Sequence, residues 1–315
     1  MRQVFLGEAI KKRRMELGLT QEQLCEGICE PFTISRIENG RQTPSRKRIN
    51  AILKRLSLPA DRYYALVSEN EQEVSELQRQ ISAFKHRFGR AFDDEREQIR
   101  EQAAIAFEQL EAVIEEADTV RRQFLVRSRI TIGKPDGEYS LDEQKEMLTD
   151  AIRLSAPYFN VLKINKGIYS VDEIKLIDLL ACAYSHNNLH TEAINIYIQL
   201  YEYINKHFAN NPTTRAGLTM ISANYAKELL AIGDPQKAVD IALEGKQTCL
   251  DYGYYRSLPL LLAVLADAYY HLGDINNSRQ LYYQAYYLMF VIGDERNLHN
   301  LKQKAKTDLD LDFQS

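Results

Sequence analysis

The sequence predicts an all-α protein, a small helical head followed by a long array of paired helices. Three observations carry that reading. Apolar residues recur at helical spacing, and no stretch shows the alternation that marks a half-buried strand. Beyond the first 66 residues Pro and Gly cluster at a few points and leave long uninterrupted segments between them. One pattern of small and large residues recurs three times in the second half, as stacked helix pairs require. A length of 315 residues, with 45% hydrophobic and 27% charged, suits two domains or one extended array.

The head opens with Leu6, Ile10 and Leu17 on one helical face, and Gly18 ends that helix. Thr20 is placed to cap the next helix. Gln23, three residues on, supplies the return half of a capping box, and Leu19 and Leu24 form a hydrophobic staple. This second helix is expected to run to about Ile28. After a break at Cys29 and Glu30, Pro31 suits the first position of a third helix, where its missing N–H costs nothing. That helix should reach Asn39, with Ile34 and Ile37 inward and Gly40 past its end. Thr43 and Pro44 cap a fourth helix striped by Ile49, Ile52, Leu53 and Leu56, and Pro59-Ala60-Asp61 opens a short fifth.

Charge separates head from body. Residues 1–62 hold 13 basic and 7 acidic side chains, whereas the rest is acidic, giving −4 overall. A basic head on an acidic body fits a head that meets a polyanion. Two short helices joined by a tight turn and rich in Arg describe a helix-turn-helix reader of duplex DNA. The stretch LTQEQLCEGICEPFTISRIENGRQTPS closely resembles the Xre-type, lambda-repressor-like family over residues 6 to about 66. The resemblance implies that Gln21 bonds a backbone phosphate at a helix N-terminus and that Thr33 and Arg36 reach base edges. Arg41 and the run Arg46, Lys47 and Arg48 would lie near phosphates, or that run is an ordinary solvated face. Relatives commonly carry small polar or Gln residues where this chain has Pro31 and Phe32. Phe32 therefore either meets a thymine methyl or packs inward.

Residues 67–73 read as a junction, either a break or a helix continuing into the body. In the body, the segments starting at Asp178, Ala223 and Leu265 superpose. Their small anchors are Ala193, Ala238 and Ser278, each with an Ala twelve residues earlier (Ala181, Ala226, Ala266) and Tyr197, Ala242 or Tyr282 four later. Gly233-Asp234 and Gly273-Asp274 mark the same turn twice. The pattern is that of tetratricopeptide repeats, with anchor spacings longer than the standard repeat. Residues 74–128 and 140–187 read as two further, diverged helix pairs, and the segment from Gly293 to Leu311 as a final helix. In such an array the first helix of each pair lines a concave face suited to an extended peptide. The register places Asn224 and Lys227, then Asp267, Tyr270 and His271, and Asp178, Cys182 and His186 on that face. Asn224 can satisfy both polar groups of a peptide bond.

The fold class expected is thus a five-helix helix-turn-helix domain (1–66), a junction (67–73) and a tetratricopeptide-like α-solenoid (74–315) for regulation and dimerisation. The whole resembles the Rgg, NprR, PlcR and PrgX group of peptide-sensing quorum-sensing regulators. That resemblance implies a homodimeric transcription factor that binds double-stranded DNA and a short imported peptide. The alternative is a regulator whose body binds a protein partner or only itself. No P-loop, G-x-G-x-x-G, G-x-S-x-G or H-E-x-x-H motif occurs, so neither an enzyme nor a cofactor or metal is expected. His186 and His190, four apart, read as a surface pair rather than metal ligands, and Cys25 and Cys29 as small core or turn thiols. Four cysteines without a C-x-x-C pair, no apolar run of membrane-spanning length and no apolar leader lead to a cytoplasmic expectation.

Overall fold

The computed structural model describes residues 6–39, 46–58, 69–209, 211, 214–215 and 218–313. The chain forms two compact units, residues 1–79 and 80–315. The first contains α1 (Leu6–Glu16), α2 (Gln21–Cys25), α3 (Pro31–Glu38) and α4 (Arg46–Arg55). The expected cap at Thr43, the fifth helix near Pro59, and Arg41 lie outside the described residues, as do the side chains of Arg46 and Lys47. The junction falls partly there too, with helix described from Glu69 onward.

The capping box forms as the sequence dictates. Thr20 Oγ1 accepts from the Gln23 backbone N–H at 3.2 Å, and Gln23 Oε1 accepts from the Thr20 N–H at 2.8 Å. Helix α2 is shorter than its spacing predicts. It ends at Cys25 rather than Ile28, because Glu26 leaves helical backbone and Gly27 turns left-handed at φ +68°. The turn lets Ile34, Ile37, Ile52, Leu53 and Leu56 close over Ile10 and Leu24 in one core. Helices α1 and α3 cross almost in contact, since a Cβ on Gly7 would stand 2.2 Å from the Ile37 carbonyl oxygen.

A buried ion pair fixes the same crossing. Glu38, with a side chain 1% exposed, accepts from Arg14 Nε at 2.6 Å and Nη2 at 3.0 Å. Gln21 Nε2 adds a third bond at 2.7 Å, and Arg14 Nη1 donates to the Leu19 carbonyl at 2.8 Å. A carboxylate removed from water is stable only when its lone pairs are taken, and here α1, α2 and α3 each contribute to that.

The second unit begins within α5 (Glu69–Arg90) and continues through α6 (Asp93–Val113), α7 (Thr119–Ile132) and α8 (Leu141–Arg153). Two simple pairs were expected over 74–128 and 140–187, and the structure differs. Three helices occupy 69–132, and a 3-10 turn, Val161–Lys166, interrupts the second stretch before α9 (Val171–His186). The turn starts where the Asn160 side chain accepts from the Leu162 N–H at 2.9 Å, and Lys163 departs from helical backbone inside it.

Three helix pairs then follow in register. They are α9 with α10 (His190–His207), α11 (Thr219–Ala231) with α12 (Pro235–Tyr252), and α13 (Leu258–His271) with α14 (Ile275–Ile292). The last helix is α15 (Glu295–Leu309). The anchors Ala193, Ala238 and Ser278 are fully buried, as are Ala181, Ala226 and Ala266. Where Ser replaces Ala, its hydroxyl donates to the Ala266 carbonyl at 2.7 Å, so the crossing is kept and the polar atom satisfied. The turns repeat as well. Asp234 and Asp274 cap their helices by accepting from the N–H three residues on, and Asn188 takes the left-handed backbone that glycine takes in the other two pairs. Successive first helices pack on one another, α9 on α11 and α11 on α13. The two ends of the array also touch, with the Phe92 ring edge-on to His299 at 5.9 Å. No helix among the described residues is long and apolar enough to cross a membrane.

Gly245 shows how tight the array is, for a Cβ there would lie 2.9 Å from both Leu261 Cδ2 and Ser222 Cβ. In Gly245→Ala the gain in helix propensity, up to ~1 kcal/mol, offsets much of the crowding. In Gly245→Val overpacking dominates, and urea unfolding should show a loss of about 1–3 kcal/mol.

Candidate functional site

Two sets of side chains are candidates for binding, one in each unit. In the first, α3 is held from behind by Ile34, Ile37 and Glu38, which face the core and the Arg14 pair. Its other face carries Phe32 and Arg36, both exposed, with Thr33 half-buried beside them. Phe32 does not pack inward, as 63% of its surface is open. The Arg36 guanidinium lies over the Phe32 ring, Cζ 4.2 Å from its centroid. Stacking uses the face of the guanidinium and leaves its in-plane N–H fork free for a bidentate acceptor. Gln21 stands at the start of α2, half-buried, with its amide N–H group occupied by Glu38.

In the second unit the structure joins two side chains that are 46 residues apart. Asn224 Nδ2, on α11, donates to Asp178 Oδ1 on α9 at 3.1 Å and lies 3.4 Å from Oδ2. Tyr197 Oη donates to the same carboxylate at 3.3 Å and lies 3.3 Å from Cys182 Sγ, which also meets Asn224 Nδ2 at 3.6 Å. Loss of water pushes the Asp178 carboxyl up to about 6, although the bonds from Asn224 and Tyr197 oppose the shift. The same desolvation, reinforced by the Asp178 charge, raises the Cys182 thiol. Cys182 is therefore an inert, protonated group at this site rather than a nucleophile. Lys227 is exposed one turn beyond Asn224, and His186 is exposed at the end of α9.

The third-repeat residues sit apart from that cluster, against the last helix. Asp267 pairs with Lys304 Nζ of α15 at 3.2 Å and with His271 Nε2 at 3.3 Å. Tyr270 is half-buried with its ring near His271, and Tyr282 Oη donates to Asp308 at 2.8 Å. Sequence reasoning placed Asp267 and His271 as open groove residues. In the structure α15 supplies a partner to the Asp267 carboxylate.

Several polar side chains at the first helices were not foreseen. Glu228 is buried on α11, where Ser185 of α9 donates to it and His190 Nδ1 lies 3.0 Å away. His190, expected as one of a surface pair, is thus tied to a neighbouring helix. Tyr197, expected only as a space-filling residue, is also the Asp178 donor. A carboxylate in a helical run reads as solvent-facing unless its partner is known, and the partners here are far away in sequence. Lys85 and Arg127 both approach the Phe124 ring, and Arg127 and Lys175 share Asp172, a charged group that no local motif marks.

The comparisons agree with this architecture. Residues 10–62 match the helix-turn-helix family model. No curated relative matches the chain. Among solved structures, Bacillus thuringiensis PlcR in complex with the peptide PapR7 and DNA is similar at 17% identity. The match has a TM-score of 0.61 and covers 95% of this chain and 99% of that one. A transcriptional regulator of Listeria monocytogenes matches at 14% identity and TM-score 0.52, with 98% of each chain covered. The pheromone receptor Rgg2 of Streptococcus dysgalactiae matches at 15% identity and TM-score 0.50, with 96% of this chain and 100% of that one covered. Residues 10–62 are a helix-turn-helix domain, and the chain as a whole has the fold of the PlcR and Rgg2 regulators.

Proposed function

We propose that this chain is a DNA-binding transcription regulator switched by a short extended peptide lying along the first helices of its array. The observation that carries the reading is the contrast between two arginines of the head. Arg14 is spent on a buried carboxylate that positions α3, whereas Arg36 is presented outward with its hydrogen-bonding edge free. A guanidinium so offered suits guanine O6 and N7 in a major groove, and the open Phe32 ring suits a thymine methyl. Thr33 extends the same face. Gln21, Arg41, Arg46 and Lys47 are assigned to phosphates, where they add salt-dependent affinity without reading sequence. On this reading residues 1–66 bind DNA, 67–73 join the parts, and 74–315 regulate and dimerise in the cytoplasm.

The peptide part rests on the Asp178–Asn224 pair. It joins two neighbouring first helices through polar groups, with the Asn224 amide donating inward and Lys227 exposed beside it. PlcR has this fold in a complex holding a peptide and DNA together, which supports the same pair of ligands here. Self-association fits the open apolar face of α14, where Tyr287, Phe290 and Val291 are 61%, 62% and 79% exposed. A homodimer reads two half-sites about 34–36 Å apart or a multiple of that. The peptide acts only through its unequal affinity for dimer arrangements that can and cannot dock both heads.

Selection from a random duplex library with the full chain should yield a paired motif. Arg36→Ala should then lose about 1–3 kcal/mol of discrimination at one base pair, by fluorescence anisotropy, with little change toward unrelated DNA. Binding without any sequence preference would overturn the reading.

Asn224→Ala should abolish calorimetric binding of peptides selected from a random short-peptide library while leaving DNA affinity intact. Unchanged peptide affinity would remove Asn224 from the site.

Asp178 gives a pH signature. Its folded pKa lies above the unfolded value, so its contribution is greatest in acid and is lost as pH rises through about 6. Asp178→Asn should cancel that dependence and stabilise the protein at neutral pH by on the order of 2 kcal/mol relative to wild type, seen in urea midpoints between about pH 4 and pH 7.

A further inference from the structure

Helix α3 offers DNA two side chains that also touch each other. Phe32 and Arg36 stand four residues apart, which places them one above the other on the exposed face of the helix. Helical side chains lean toward the N-terminus, so Arg36 reaches back to Phe32, and its Cζ comes to rest 4.2 Å from the ring centroid. Phe32 is the second residue of the helix, directly after Pro31, and the N-terminal residues of a recognition helix are those that contact base edges. Neighbouring polar groups are engaged elsewhere. Asn39 Nδ2 donates to the Ser35 carbonyl at 2.8 Å, and Glu38 is turned inward to Arg14. Phe32 and Arg36 are therefore the large side chains that this face extends.

The contact between them fixes what they read together. An Arg that takes guanine O6 and N7 through its in-plane N–H fork lies in the plane of that base. A ring stacked on the face of the guanidinium is then displaced from that plane by the 4.2 Å of the contact. Successive base pairs are about 3.4 Å apart, and the pair after next is twice as far, so the ring falls level with the adjoining pair. A phenyl ring forms no conventional hydrogen bond. The apolar group that a base pair shows in the major groove is the C5 methyl of thymine.

We propose that Phe32 and Arg36 act as one reader of a two-base-pair step: a guanine and, in the adjoining pair, a pyrimidine that carries a C5 methyl group. This rests on the DNA reading above and deepens it, for it sets the two contacts side by side and makes one depend on the other. Arg36 touches the guanine. Phe32 touches the methyl group and is also the positioning residue of the guanidinium, so loss of the ring weakens the choice of guanine as well as that of thymine.

The test starts from duplexes selected by the full-length chain from a random library, with affinities read by fluorescence anisotropy. The motif should hold a guanine that depends on Arg36, with a thymine in an adjoining pair. Replacing that thymine by deoxyuridine removes the methyl group and nothing else, and should weaken binding roughly two- to fourfold. With a C·G pair at the same place, 5-methylcytosine should bind more tightly than cytosine by a similar factor. In Phe32→Ala, thymine and uracil should bind alike, and the preference for guanine over adenine at the neighbouring pair should fall about two- to fivefold although Arg36 is intact. Phe32→Leu separates the two effects. It keeps an apolar side chain for the methyl group but has no π face, so thymine should still be preferred while the guanine preference falls. Phe32 is 63% exposed, so neither variant should move the urea midpoint, and misfolding does not mimic the result. Equal binding of thymine and uracil at every pair adjoining the guanine would overturn the proposal. So would a guanine preference that Phe32→Ala leaves unchanged, or a motif with no thymine beside its guanine. In those cases a motif that still depends on Arg36 leaves the DNA reading standing. A library that yields no motif removes that reading and the proposal with it.

Discussion

The close approach of paired helices at small side chains is the constraint on which the second unit depends. Ala181 and Ala193, Ala226 and Ala238, and Ala266 and Ser278 are all fully buried, so that only small side chains occupy each crossing. Tyr197 and Tyr282 then fill the space one turn on. Because each crossing is fixed, the first helices of neighbouring pairs lie side by side, and polar groups separated by more than 40 residues meet across them. The Asp178–Asn224 and Ser185–Glu228 contacts are products of that geometry. Interiors packed to this density transmit a shift in one pair to the next, because no slack absorbs it.

The head solves a different problem, which is to present one face of a short helix without letting it move. Two arginines illustrate how context divides one chemistry into two roles. Arg14 is immobilised by Glu38 and makes a structural joint of three helices. Arg36 has an aromatic ring for a neighbour, which steadies it without consuming its donors. A long cationic side chain loses rotamer entropy when it binds, and a ring that has already restricted it reduces that cost.

What the sequence makes legible is whatever its own neighbours determine. The Thr20 capping box, the buried anchors, the Gly233-Asp234 and Gly273-Asp274 turns and the inward Ile34 and Ile37 all depend on residues a few positions apart. The end of α2 was harder, since an apolar pattern ran on through Ile28 while Gly27 had already turned the chain. The 3-10 turn at Val161–Lys166 and the third helix between 69 and 132 have no periodic mark of their own. Register puts Asn224 and Asp178 on first helices, but it does not show that one holds the other. The Asp267 partner on α15, the buried Glu228 and the Asp172 carboxylate shared by Arg127 and Lys175 were invisible, because long-range electrostatics leave no spacing in a sequence.

The contact between Phe92 and His299 has a kinetic consequence. The residue that caps α6 and a residue of the last helix thus bridge distant parts of the array. If the proposed peptide lay behind that contact, its departure would wait for the contact to part, and the lifetime of the occupied state would belong to the protein's own breathing. Guests of differing equilibrium affinity would then share a similar residence time and differ chiefly in how fast they are captured. The switch would respond to the arrival of its signal more faithfully than to its disappearance.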